Sequence, residues 1–97
     1  MTTFIYPDGR TEEHEDSKFS CSKLKELLGG DFHLQYAGFS DRKIDSCGRE
    51  IETDYWLATI ETHGLRIDQL PEYNQAVKEM FNKDVYGLAI LAPQSMF

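Results

Sequence analysis

The sequence predicts an α+β domain in which a mainly antiparallel sheet carries two helices packed on one face. Two observations lead there. The elements read in the order strand, strand, helix, strand, an undetermined stretch, strand, strand, helix, strand, which lacks the regular βαβ alternation of a parallel sheet. Two segments also repeat their apolar residues at helical spacing, and between them lie short β-branched and aromatic runs bounded by turn residues. Ninety-seven residues, 40% hydrophobic and 28% charged, suit one globular module spanning residues 1–97, with a mobile loop or irregular hairpin expected at 40–54.

The first strand is Thr2 to Tyr6. Pro7-Asp8-Gly9 turns the chain, with Pro fixing φ and Gly accepting a positive one. The return strand, Arg10 to Glu15, holds no large apolar residue. It buries no face and belongs at a sheet edge. A helix follows from Ser20, a capping residue, to Gly29, which suits the left-handed stop; Leu24, Leu27 and Leu28 share its face and Phe19 staples its start. Asp31 to Phe39 reads as a strand with Phe32, Leu34 and Tyr36 on one side.

Between Ser40 and Thr53 the charges nearly cancel and Ser46-Cys47-Gly48 looks like a turn, so either a long loop or an irregular hairpin fits. Tyr55 to Ile60 is apolar enough for an interior strand, and His63-Gly64 turns into a short strand at Leu65 to Ile67. Pro71 opens the second helix, whose stripe is Tyr73, Ala76, Val77, Met80 and Phe81; Asn82-Lys83-Asp84 ends it. Val85 to Leu91 supplies a central strand in which Gly87 marks a close backbone approach.

Charge narrows the function. Seventeen Asp and Glu against ten Lys and Arg leave a net −7, which repels phosphate backbones and anionic lipid and so excludes direct nucleic-acid or membrane-surface binding. No apolar run is long enough for a membrane span, and Met1 to Arg10 lacks the layout of a signal peptide, so a cytoplasmic location is expected.

Chemistry is equally sparse. Cys21 and Cys47 are read as free thiols, one partly buried and one in a turn, without a CxxC pair. His14, His33 and His63 fall in three segments, away from zinc-ligand spacing. No glycine-rich phosphate loop exists, and the carboxylate clusters sit on segments too polar to desolvate an acid. The expectation is a non-enzymatic protein with no catalytic residues, no metal and no cofactor.

The acids themselves are the working surface. Asp8, Glu12, Glu13, Glu15 and Asp16 stand against Arg10 alone, and a second cluster holds Glu50, Glu52 and Asp54. Carboxylates two apart on a strand stand about 6–7 Å from one another, close to the phosphate spacing of an extended nucleic-acid strand. The eight acids are thus candidate partner-binding residues, two rows standing for two strands of a duplex. Charge that guards an edge strand against aggregation is the plainer explanation of the first cluster. A different reading takes Arg42, Lys43 and Arg49, beside Phe39 and Tyr55, as a pocket that sequesters a nucleotide signal.

Leu28-Gly29-Gly30, Trp56-Leu57, Gly64-Leu65, Leu70-Pro71, Asn74, Ala76 and Val85-Tyr86-Gly87, with the PDG turn, resemble a family of small proteins of unassigned function carried by phages and conjugative elements. The family pattern has an Asn where Glu61 stands. In size and charge the chain is also similar to phage inhibitors of host defence, including the anti-CRISPR proteins that imitate DNA. The resemblance implies a host-cell cytoplasmic inhibitor whose partner is a nucleic-acid-binding protein complex with a basic groove, such as a CRISPR surveillance complex.

Overall fold

In the computed structural model, residues 2–15 and 17–97 are described, apart from the side chains of Phe39, Ser40 and Asp41. Strands β1 (Thr2–Ile5), β2 (Thr11–His14), β3 (Phe32–Ile44), β4 (Glu50–Ile60) and β5 (Ala89–Pro93) accompany helices α1 (Cys21–Leu28) and α2 (Gln75–Phe81). They form one sheet in the order β2-β1-β5-β4-β3, with every neighbouring pair antiparallel. The α+β class and the antiparallel sheet are as the sequence predicts, and β2 lies at an edge.

The helices do not share a face. Side chains alternate across a strand, so Phe4, Ala58 and Ile90 point one way and pack with Leu24 and Leu28 of α1. Ile5, Leu57, Ala89 and Leu91 point the other way and pack with Val77 of α2 and with Val85. The reason lies in the central strands. All five residues of β5 are buried, and a strand with no wet side needs cover on both faces. One helix supplies each layer.

α1 follows its local signals. The Ser20 hydroxyl accepts from the Lys23 amide at 3.1 Å, Gly29 adopts φ 87°, and Phe19 stacks on Phe97 with centroids 6.0 Å apart. α2 departs from expectation at its start. Its cap is Asn74, three residues beyond Pro71, and the Asn74 side chain accepts from the Val77 amide at 3.0 Å. Fully buried, Asn74 also donates to the Ile5 carbonyl at 3.0 Å and the Gly87 carbonyl at 2.8 Å. This residue ties α2 to β1 and to the loop before β5.

That loop occupies Val85 to Leu88, so the last strand starts later than the apolar run suggests. Gly87 sits at φ +73°, where a Cβ would come within 3.0 Å of the Pro71 Cβ. Within the expected α2 stripe, Met80 is instead 52% exposed, because α2 is only two turns long and Val77 fills the contact. The expected strand at Leu65 to Ile67 is absent. Residues 67–69 form a 3-10 turn, and Ile67 is 90% exposed, since the chain here runs outside the sheet with no strand to pair.

Of the two forms open to 40–54, the structure has the hairpin. β5 pairs with β4 only from Tyr55 to Ala58. Beyond Asp54, β4 pairs with β3 alone, after a bulge between Tyr36 and Ser40. The result is a two-stranded ribbon that projects past the end of the sheet. Asp45 closes its tip, accepting from the amides of Cys47 at 2.9 Å and Arg49 at 2.8 Å.

Candidate functional site

Strand register distributes the first acidic cluster over two faces. Glu12 lies opposite Phe4 and Glu13 opposite Thr3, so Glu12 belongs to the α1 face and Glu13 to the α2 face. Glu12 is engaged. It accepts from the Tyr6 hydroxyl at 3.2 Å and lies 3.4 Å from His14 Nε2. Burial, followed by the hydrogen bond to Glu12, pushes the Tyr6 hydroxyl above its usual value. The Arg10 guanidinium caps the same ring at 4.3 Å. Asp8 holds the turn by accepting from the Arg10 amide at 2.9 Å.

Glu13 and Glu15 differ from these. Both are exposed, and among the described residues no cation stands within 4.0 Å of either. Asp16 lies outside the described residues.

The second cluster is placed on the ribbon, where Arg42 faces Glu52 across the strands. Its guanidinium reaches Glu50 at 3.6 Å and Glu52 at 3.9 Å. Asp54 is half-buried where the ribbon leaves the sheet, lining a shallow cleft with Gln94 and Ser95. Glu15 and the second cluster lie toward the same end of the sheet, because Glu13, Thr3, Leu91 and Leu57 form one lateral row and β2 and β4 run in opposite directions, whereas Asp8 sits in the turn at the other end. The two clusters are kept apart by β1 and β5. Three strand spacings put β2 and β4 about 14 Å from each other. The structure therefore brings Glu13 and Glu15 forward, ties Glu12, Glu50 and Glu52 into contacts, and makes no continuous double row.

The residues suggested for a nucleotide pocket are gathered only in part. Arg42 and Lys43 line one hollow on the ribbon with Ile44, Gly48 and Glu50, but Arg49 is not in its lining, Arg42 is committed to the two glutamates, and Tyr55 is buried in the core on the α2 side. The Phe39 side chain lies outside the described residues. Cys21 and Cys47 are both exposed; Cys21 is not partly buried, being the first residue of α1, at the end of the face that Leu24 and Leu28 bury. Among the described residues no three His, Cys, Asp or Glu side chains cluster at metal-binding distance.

Two hollows escape sequence reasoning. One, of ≈ 370 Å³, lies between the PDG turn and α2, where Asp8 and Glu79 flank Ala76 and Met80. The other is a polar cleft beside His33, Thr59 and Glu61. Both join residues far apart in the chain, which only the register and the helix placement bring together.

No family model, curated protein or solved structure matches this chain. Among the described residues, no helix is long and apolar enough to cross a membrane.

Proposed function

We propose that the protein is a non-enzymatic inhibitor of phage or prophage origin that docks its acidic edge into the basic groove of a host complex handling nucleic acid, such as a CRISPR surveillance complex. One observation carries the reading: Glu13 and Glu15 stand exposed on an edge segment with no cation beside them among the described residues, in a chain of net charge −7.

Carboxylates left unpaired keep their field for a partner. They steer association over a Debye length of about 8 Å at physiological salt and enter a Lys/Arg groove at roughly phosphate spacing. Asp8 and Glu79 extend the acidic surface around the PDG turn. Glu12, Glu50 and Glu52 contribute less, being spent on contacts within the chain. The inhibitor works by occupancy, so the interaction involves no bond-making step.

The test is capture from nuclease-treated host lysate by the tagged parent and by a Glu13→Lys, Glu15→Lys variant. The proposal expects the parent to retain a nucleic-acid-binding complex that duplex DNA and moderate salt displace, and the variant to lose it. Equal capture by both, or a captured complex that DNA leaves in place, would contradict it.

A further inference from the structure

On the α2 face, at the edge opposite β2, His33, Gln35, Thr59 and Glu61 line a cleft of ≈ 230 Å³ whose far wall is Asp84 and Val85. Register builds it. His33 pairs with Thr59 and Gln35 with Leu57, so these side chains share the side on which Leu57 and Val85 pack with Val77 of α2. The residues that follow α2 close the cleft from above.

Thr59 is the unexpected member. It is 2% exposed, lines the cleft, and has no side-chain hydrogen bond to any described residue. Among the described residues the one buried side-chain polar atom without a partner is Trp56 Nε1, so the Thr59 hydroxyl is not sealed in: it opens onto the cleft, within reach of water or a ligand. Its neighbours are acceptors with capacity to spare. Glu61 Oε1 accepts the His63 amide at 3.0 Å, while Oε2 has only a long 3.9 Å approach from His33 Nδ1. Asp84 accepts from the Tyr73 hydroxyl at 2.7 Å and lies 3.5 Å from Lys78, contacts that take up most of its charge and leave Glu61 as the principal carboxylate of the cleft.

Two carboxylates, an amide and two threonine hydroxyls around a small cleft call for a cation rich in donors. Phosphate is repelled by Glu61 and Asp84, and the lining offers a nucleobase no Phe, Tyr or Trp ring to stack on, only the exposed His33 imidazole. A metal ion would need a third close ligand that the described residues do not bring together. A guanidinium fits: it is planar, permanently charged, and presents five N–H donors in a fork that matches a carboxylate.

We propose that this cleft receives the guanidinium of an arginine side chain presented by a partner protein. Glu61 forms the charged pair, with the Gln35 carbonyl oxygen and the Thr59 hydroxyl accepting the remaining N–H groups. The site goes beyond the acidic-edge reading and shares with it only the positive charge of the partner.

The test is an amide-resolved NMR titration of the full chain with N-acetyl-arginine amide, with N-acetyl-lysine amide as comparison. Shifts should concentrate at 33–35, 59–62 and 84–85, with the lysine compound about tenfold weaker because it lacks the fork. Glu61→Gln should weaken arginine binding about tenfold, and the near-isosteric Thr59→Val about threefold. The Glu13→Lys, Glu15→Lys variant should bind the arginine compound as the parent does, whether or not it captures a partner. Equal shifts from both compounds spread over the acidic surface, unchanged affinity in Glu61→Gln, or loss of binding in the double-lysine variant would overturn the assignment.

Discussion

The two hairpins of this protein are closed by the same kind of loop and carry similar acids, yet they present those acids in opposite ways. Tyr6-Pro-Asp-Gly-Arg10 and Asp45-Ser-Cys-Gly-Arg49 each join the first and fifth residues by a backbone bond, Tyr6 N to Arg10 O at 2.8 Å and Asp45 N to Arg49 O at 2.9 Å. Both place a glycine of positive φ fourth. On β1–β2, Glu13 faces Thr3 and has no cation beside it among the described residues. On the ribbon, Glu52 faces Arg42 and shares it with Glu50. The cross-strand neighbour, more than the local density of charge, decides which carboxylates are available to a partner.

The hairpins also differ in support. β1 lies between β2 and β5 and is held through the Ile5 carbonyl by buried Asn74. The outer ribbon has only its own two strands, and Ile44 and Ile51 on it are 76% and 48% exposed. The largest effect expected follows from this. Asn74→Ala strips two carbonyls and one amide of their partners and should cost roughly 3 kcal/mol or more, whereas Ile51→Ser on the ribbon should stay within about 0.5 kcal/mol. Denaturant unfolding of the two variants measures the gap, and similar midpoints would mean that the hairpins are supported alike.

A smaller effect is expected at Arg42. Exposed ion pairs contribute under about 1 kcal/mol, so Arg42→Ala should barely move the melting temperature. It should, however, release Glu50 and Glu52 and speed association with a basic partner, as stopped-flow or plasmon resonance would report. If association slows instead, Arg42 itself is a contact.

The smallest effect concerns two tyrosine–carboxylate bonds, one in the first hairpin and one beside α2. The Asp84 carboxylate, by accepting from Tyr73, pushes that hydroxyl up to about 12, while the same bond, together with Lys78, holds Asp84 below its usual value. A raised tyrosine contributes its stability below pH 10, where it is protonated folded or unfolded, and loses it as pH rises through about 12. Asp84, being lowered, contributes above its unfolded value and loses that contribution as pH falls through the folded one. Ultraviolet titration should show Tyr73 as a late phenol that moves back toward 10 in Asp84→Asn, while Tyr6, raised by burial and by Glu12, stays raised in that variant. A parent whose tyrosines all ionise together would contradict the assignment.

Where the determinants are local, the sequence is readable. Ser20, Leu24, Leu28 and Gly29 define α1 within ten residues, and the want of apolar side chains in β2 consigns it to an edge. The start of α2 is less readable: Pro71 signals a first helical residue, yet the cap is Asn74, held there by a bond to Ile5, 69 residues away. The placement of the helices on opposite faces is not legible, because a continuous apolar run gives no sign of which layer covers each side. For the acidic surface, residue types and clusters were legible. The selection of Glu13 and Glu15 over Glu12, Glu50 and Glu52 was not, since it depends on register and on where Arg42 and His14 fall.

Availability of acids, set by their cross-strand partners, is the central claim, and paired charge reversals test it most directly. Plasmon resonance at low and moderate salt, on the complex captured by the parent, would compare Glu13→Lys, Glu15→Lys with Glu50→Lys, Glu52→Lys. The account predicts that the first pair abolishes binding and flattens its salt dependence while the second weakens it only modestly; equal losses, or a larger loss from the ribbon pair, would contradict it.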